Sequence, residues 1–200
     1  MNHTAPAFYL ACLILLLPVN ANSQQQEDPG RVVSETVNAV LGVLGEAGLS
    51  EPDKREKVYA LVQPRIDFEG MSRRVLALNW KNATDEQLAR FVALFRHILL
   101  DSYWTRIRNF RNEKVEYVTT LVEPNGSATV DTVIVRDRLE IPISYRMELV
   151  NGRWMAYDFL VESLSLVTNF RVEYRNLIKL GGIDGLLAQM QAEVDRINAS

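Results

Sequence analysis

The side chains that most often perform chemistry in proteins are scarce in this sequence. Histidine occurs twice, as His3 and His97, and the single cysteine is Cys12. A structural zinc site needs several Cys or His ligands, and a serine triad needs a histidine beside its nucleophile. No G-x-S-x-G motif, which would mark the nucleophile of a triad, accompanies His97. The sequence also contains no Walker A or G-x-G-x-x-G motif for binding a nucleotide. We therefore expect no metal centre and no cofactor, and we interpret His97 as a boundary residue of a helix.

Carboxylates are abundant, so acid–base catalysis by aspartate or glutamate alone stays open at this point. Asp67 and Asp158 are the two to consider, because each stands beside aromatic or apolar residues. A structural role is the better interpretation: Asp67 as a helix N-cap, and Asp158 as a hydrogen-bond acceptor at the end of a strand. The net charge of −3 lacks the basic excess that is typical of nucleic-acid-binding proteins.

The N-terminus is typical of an export signal. Residues 7–19 form an uncharged apolar run that is too short for a membrane span of about 20 residues. Small residues at 19–21 and a polar segment after them suit a signal peptidase. We predict a signal peptide over 1–21, a short polar arm over 22–30 and one domain over 31–200. An uncleaved anchor is the alternative, and Cys12 is interpreted as part of the apolar run rather than as a lipidation site.

Apolar spacing predicts a helical first half of the exported chain. Asp28, Ser50 and Thr84 are good N-caps, and Gln87 completes a capping box with Thr84. The predicted helices begin at Asp28-Pro29, run from Ser50 to about Val62, span about 67–79, and run from Thr84 to about Phe110. The first, third and fourth of these present apolar residues at helical spacing, and the wide stripe of the fourth is typical of a helix that covers a core or a pocket.

From Val115 onward apolar and polar residues alternate, which predicts strands. The predicted strands cover about 115–122, 128–137, 140–150 and 153–162, with turn signals at Pro124-Asn125-Gly126 and Asn151-Gly152. Consecutive hairpins make the sheet antiparallel, with one covered face and one wet face. The tail, 165–200, returns to helix and is broken at Gly181-Gly182.

These elements predict an α+β fold in which a curved antiparallel sheet of about four strands is packed on one face by several helices. Such a layout leaves a wedge between the sheet and the helices. A wedge with apolar walls is either a filled core or a ligand pocket, and periodicity alone does not distinguish the two.

Three stretches, taken in order, resemble the MlaC or toluene-tolerance family of periplasmic phospholipid-binding proteins. They are residues 66–107, 151–179 and 181–190. Their most specific parts are a W-x-A-Y-D-x-x-x-E-x-x-S block that begins at Trp154 and a DF…W…AT-x-E-Q-x-x-x-F block that begins at Asp67. The chain departs from the family at Ser163, where glycine is common, so the turn there is expected to have a different shape.

The resemblance implies a soluble periplasmic carrier that buries the acyl tails of a phospholipid and is not an enzyme. Family members shuttle phospholipid between an outer-membrane lipoprotein–porin complex and an inner-membrane MCE-domain transporter driven by an ABC ATPase. They thereby maintain the lipid asymmetry of the outer membrane and need no cofactor. We expect a monomer that binds no nucleic acid.

On this basis we expect apolar residues on both sides of the wedge to contact the lipid, although each is equally suited to a filled core. They are Phe68, Met71, Val75, Phe91, Phe95, Ile98, Leu99 and Tyr103 from the helices, Ile141, Ile143, Tyr145, Met147, Tyr157 and Phe159 from the sheet, and Leu164, Leu166, Val167 and Phe170 after it. Leu164 matches a pocket position of the family, so Leu164→Glu is predicted to abolish lipid retention. Arg73, Arg74 and Lys81 are weak candidates for the phosphate, and ordinary solvation is favoured for them.

Two other functions stay open at this level. A periplasmic adapter would have the same fold with a solidly filled wedge, and would act by surface docking. A small-molecule enzyme of the NTF2-like type would need a buried His, Asp or Tyr constellation, and this wedge offers mostly aliphatic residues.

Overall fold

The computed structural model describes residues 27–110, 113–136 and 139–199. The predicted signal peptide over 1–21 lies outside the described residues, as does most of the polar arm. Within these ranges the helices are α1 (Pro29–Gly45), α2 (Glu51–Val62), α3 (Phe68–Leu76), α4 (Asp85–Ile107) and α5 (Leu166–Asn198). The strands are β1 (Lys114–Val122), β2 (Ser127–Arg136), β3 (Leu139–Val150), β4 (Arg153–Val161) and β5 (Leu164–Ser165).

The predicted helix starts are confirmed by their caps. The Asp28 side chain accepts a hydrogen bond from the backbone N–H of Arg31 at 2.8 Å, and Thr84 forms the complete capping box with Gln87. The third helix differs from the prediction, because α3 ends at Leu76 and a 3-10 segment, Ala77–Asn82, follows it. Ala77 has a φ of 50°, which takes the backbone out of the right-handed helical region and ends the α-helix.

The sheet is an open antiparallel meander with the strand order β1-β2-β3-β4-β5. The four predicted strands agree with β1 to β4, whereas the two-residue strand β5 was not predicted. Leu164 pairs with Val161 across a tight turn in which Glu162 and Ser163 have φ values of 50° and 68°. Positive φ at two successive residues is the backbone of a type I′ turn. The departure from the family at Ser163 therefore lies in a turn that would favour glycine.

A bulge in β4 decides which of its side chains face the helices. Arg146 pairs with Asp158 and Met147 pairs with Ala156, so Tyr157 is the extra residue. The alternation along β4 therefore reverses at this point. As a result Ala156 lies on the same covered face as Phe159, although an uninterrupted strand would place them on opposite faces.

A filled core lies between α3, the first half of α4 and α5. Its centre is a cluster of aromatic rings, with Phe91 stacked on Phe95 at 5.8 Å and Phe170 edge-on to Phe95 at 5.2 Å. The predicted break in the last helix is confirmed at Gly182, which has a φ of 68° inside α5. No helix in the described ranges is long and apolar enough to cross a bilayer.

The β3–β4 hairpin turn contains two successive residues with positive φ. Asn151 and Gly152 have φ values of 51° and 78°, as a type I′ turn requires. Gly152→Ala is expected to lower the free energy of unfolding by about 1–2 kcal/mol, because a Cβ atom disfavours this region. Gly42→Ala is the control, since Gly42 lies in α1 with no atom within 4 Å of the new Cβ position. Urea denaturation should show the first variant less stable and the second unchanged or more stable.

Candidate functional site

A cavity of about 250 Å³ lies between the sheet and the helices α1, α2 and α4. Its helical wall consists of Val32, Val33, Thr36, Val37, Val40, Leu41 and Leu44 from α1, Val58, Tyr59 and Val62 from α2, and Leu99, Leu100, Tyr103, Trp104 and Ile107 from α4. Its sheet wall consists of Val115, Ile134, Ile143, Tyr145, Met147, Ala156, Phe159 and Val161. Arg65, Ile66, Phe110 and Leu166 complete the lining. The lining is thus almost wholly aliphatic and aromatic.

Helix α1 forms a wall that is fastened at both of its ends. Before its start, the indole N–H of Trp154 donates to the backbone carbonyl of Glu27 at 2.6 Å. At its other end, the ammonium group of Lys54 donates to the carbonyl of Leu44 at 2.8 Å, where the helix leaves carbonyl groups without helical partners. Val37 and Val40 between these ends are half-buried and line the cavity. The apolar stripe of α1 therefore faces the cavity rather than the filled core.

The residues predicted as lipid contacts divide between the cavity and the filled core, with some overlap. Those that line the cavity are Leu99, Tyr103, Ile143, Tyr145, Met147, Phe159 and Leu166, of which Leu99, Tyr103, Phe159 and Leu166 also belong to the filled core or pack against it. Those that belong to the filled core or pack against it without lining the cavity are Phe68, Met71, Val75, Phe91, Phe95, Ile98, Val167, Tyr157 and Phe170. Ile141 is half-buried outside the lining, and Leu164 is 63% exposed. Lipid contact by any of these residues stays a prediction.

Sequence reasoning did not assign the α1 and α2 residues to the pocket. The signal was present, because Val32, Val33, Val37, Val40 and Leu44 recur at helical spacing in α1. Arg65 was also missed, since a single arginine after a proline at a helix end has no distinctive pattern. The cations that were considered lie elsewhere: Arg73 pairs with Glu69 and Arg74 pairs with Glu148, and neither arginine is part of the lining.

The polar groups of the lining are mostly hydroxyls. The Thr36 hydroxyl donates to the carbonyl of Val32 at 2.7 Å, and the Tyr59 hydroxyl accepts from Nε of Arg55 at 3.1 Å. Burial raises the pKa of Tyr59, of Tyr103 and, to about 12, of Tyr145. At neutral pH these phenols are uncharged. They add wall area and hydrogen bonds rather than a general base.

The two aspartates that could have served catalysis both have structural roles. The Asp67 carboxylate accepts from the backbone N–H of Gly70 at 2.9 Å, as a cap of α3. Asp158 is 3% exposed and accepts from the Ser165 hydroxyl at 2.7 Å and from the Val167 N–H at 3.1 Å. Both structural interpretations are confirmed. Among the described residues no group of three or more His, Cys, Asp or Glu side chains is placed to hold a metal ion.

The raised pKa of Tyr145 predicts how stability depends on alkaline pH. The folded state holds this proton more tightly than the unfolded chain, whose tyrosines titrate near 10.0. The free energy of unfolding should therefore be unaffected below pH 10, and should fall by about 3 kcal/mol as the pH rises towards 12. Tyr145→Phe should remove this contribution, while Tyr59, Tyr103 and Tyr174, whose pKa values burial also raises, keep their own. Urea denaturation at several alkaline pH values would measure the slope; equal slopes for both proteins would contradict the assignment.

The chain is similar to known proteins in both sequence and fold. The toluene tolerance protein ttg2D of Pseudomonas putida is 22% identical over 178 residues, covering 86% of this chain and 83% of that protein. The intermembrane phospholipid transport system binding protein MlaC of Haemophilus influenzae is 22% identical over 133 residues, or 64% and 62% of the two chains. The structure of a phospholipid-binding protein from Ralstonia solanacearum, solved with a phospholipid, superimposes with a TM-score of 0.77 at 23% identity, covering 86% of this chain and 99% of that one. The family model for the MlaC protein matches residues 34–192, and the chain belongs to the MlaC family.

Proposed function

We propose that the protein is a periplasmic phospholipid carrier of the Mla pathway and that the cavity under α1 holds the acyl tails. The observation that carries this proposal is the almost wholly apolar lining, to which α1, α2, α4 and the sheet all contribute. Membership of the MlaC family supports it, as do a relative and a structural neighbour whose names include phospholipid transport or binding.

The free energy of tail transfer explains why a carrier needs an apolar cavity. Lifting a phospholipid from a bilayer brings about 30 methylene groups into water, at a cost of about 25 kcal/mol. A carrier must recover most of this by apolar contact, and needs no nucleophile or base to do so. The cavity supplies aliphatic and aromatic area, with Thr36, the tyrosine hydroxyls and Arg65 as its polar groups.

The same composition favours a carrier over an enzyme. Catalysis on a small molecule would need a group that titrates near neutral pH or a nucleophile among the residues that line the cavity. His97 is not among them, and the tyrosines keep their protons because burial raises their pKa. Of the His, Asp or Tyr constellation that the NTF2-like alternative would need, the described lining offers only the tyrosines Tyr59, Tyr103 and Tyr145, and this favours the carrier.

The compartment and the partners complete the proposal. Residues 1–21 would be removed as a signal peptide, and residues 31–200 would form a single lipid-binding domain behind the arm at 22–30. The carrier would act as a monomer between an outer-membrane lipoprotein–porin complex and an inner-membrane MCE-domain/ABC transporter. This exchange would maintain the lipid asymmetry of the outer membrane.

Native mass spectrometry of the mature protein, purified without detergent, tests the proposal directly. We expect a stoichiometric phospholipid, which lipid extraction of the same sample would identify. An empty protein that also takes up no phospholipid from vesicles would contradict the carrier, and would favour the periplasmic adapter. A phospholipid at much less than one per chain, unchanged by incubation with vesicles, would also contradict it.

A further inference from the structure

One charged side chain lines the cavity among the described residues, and it is Arg65. It lies in the 3-10 turn Gln63–Arg65 between α2 and α3. The next residue, Ile66, forms a parallel bridge with Ala156 of β4, which fixes the position of the turn against the sheet. The Arg65 side chain is 30% exposed, so it lies where the cavity wall meets solvent.

Most of the N–H donors of the Arg65 guanidinium make no hydrogen bond within the described residues. It makes one hydrogen bond recorded within the described residues, from Nη1 to Oε2 of Glu27 at 3.0 Å. A guanidinium carries five N–H donors in a planar fork that fits the oxygens of a phosphate. Since both side chains are partly exposed, their ion pair contributes little to the free energy of unfolding. A ligand can therefore bind these two side chains with little loss of stability.

Glu27 places an opposite charge beside the same opening. Its side chain is 36% exposed, and its position is set by the bond from the Trp154 indole to its backbone carbonyl. A cation and an anion in contact at the rim of an apolar cavity are complementary to a ligand with an apolar part, an anionic group and a cationic group. A zwitterionic phospholipid has these three parts, whereas phosphatidylglycerol lacks the cationic group.

We propose that Arg65 and Glu27 form a headgroup site that selects zwitterionic phospholipids. Arg65 binds the phosphodiester, and Glu27 binds the ammonium group of the headgroup. This inference rests on the proposed carrier function, and it adds a specificity that the apolar walls do not provide. The anionic headgroup of phosphatidylglycerol offers nothing to Glu27 and is disfavoured by its charge.

The test is a competition between two lipids with identical tails. The mature protein is incubated with vesicles of equimolar dioleoyl-phosphatidylethanolamine and dioleoyl-phosphatidylglycerol, re-isolated, and its lipid quantified by mass spectrometry. We expect the ethanolamine lipid to be enriched roughly five-fold. Glu27→Gln should return the ratio to that of the vesicles without lowering the total load. Arg65→Gln should weaken the binding of both lipids roughly ten-fold, since both contain the phosphodiester.

Arg73→Gln is the matched control, because Arg73 also pairs with a glutamate at 2.8 Å but lies outside the lining. It should leave both the load and the ratio unchanged. Addition of inorganic phosphate should not displace the lipid, since the tails supply most of the affinity. Displacement by inorganic phosphate would reassign the site to free anions and overturn the inference.

A purely structural ion pair would give a different result. If Glu27→Gln and Arg65→Gln lower the melting temperature and change the two lipid loads in the same proportion, the pair only fastens α1 and the inference is overturned. In that case the carrier function stands. A wild-type protein that takes up neither lipid would instead contradict the carrier function itself.

Discussion

Val37→Trp is expected to weaken phospholipid binding on the order of 100-fold while leaving the protein folded. Val37 lies on α1, is half-buried and lines the cavity, as do Tyr145 and Met147 of the sheet. A tryptophan at this position occupies space proposed for the acyl tails. If about four methylene groups can no longer enter, the loss is about 3 kcal/mol of binding free energy.

The measurement is lipid load by native mass spectrometry, with a melting curve to establish that the variant is folded. Val172→Trp is the matched control, because Val172 is 47% exposed on α5 and lies outside the lining. It should carry a normal load. A folded Val37→Trp protein with a normal load would show that the tails do not occupy this cavity.

Leu164→Glu distinguishes the pocket expected from the family resemblance from the cavity observed in the structure. The family resemblance predicts that this change abolishes lipid retention, whereas Leu164 is 63% exposed and outside the cavity lining. From the structure we expect a load near that of the wild type. A lost load in Leu164→Glu together with a normal load in Val37→Trp would move the binding site to the β4–β5 turn.

The fold was predictable because its signals are local. The period of two in residues 115–162 determines the strands, and the glycine-containing turns at 124–126 and 151–152 determine that β1 pairs with β2 and β3 with β4. Caps at Asp28 and Thr84 define helix starts in the same way. The strand β5 escaped prediction because it is two residues long and depends on pairing with Val161.

The helical wall of the cavity was less predictable, because several helices carry similar apolar stripes. Phe91 and Phe95 look like pocket residues in the sequence, but they stack on each other in the filled core beneath α5. Val37 and Val40 of α1, which were not predicted to contact the lipid, line the cavity. Which stripe meets another helix and which meets open space depends on tertiary packing, so helical periodicity alone does not distinguish them.

The pairing of Glu27 with Arg65 was also beyond sequence reasoning. The two residues are 38 positions apart, and neither belongs to a recognisable motif. Their approach depends on the bridge between Ile66 and Ala156 and on the hydrogen bond from Trp154 to Glu27. Contacts of this kind follow from the assembled fold rather than from any local pattern.

Asp158→Ala is expected to destabilise the protein by about 3 kcal/mol, which lowers the melting temperature by roughly 6–12 °C for a domain of this size. The carboxylate is 3% exposed and accepts from the Val167 N–H and the Ser165 hydroxyl. Without it the buried Val167 N–H has no acceptor, which costs about 1–3 kcal/mol, and the half-buried Ser165 hydroxyl loses its partner as well. Its ion pair with Arg146, at 3.6 Å, adds less because Arg146 is 46% exposed.

The loss of the Asp158 carboxylate should also affect the cavity. Ser165 caps α5 by accepting from the Thr168 N–H at 3.0 Å, and the neighbouring Leu166 lines the cavity. Loosening this start of α5 should therefore speed the loss of bound lipid. Asp158→Asn keeps one acceptor oxygen and should lose less stability. Asp131→Ala on β2 is the control, since no hydrogen bond or ion pair of the Asp131 side chain is recorded within the described ranges. If Asp158→Ala melts with the wild type, the carboxylate does not hold the start of α5, and the lipid release rate should then be unchanged as well.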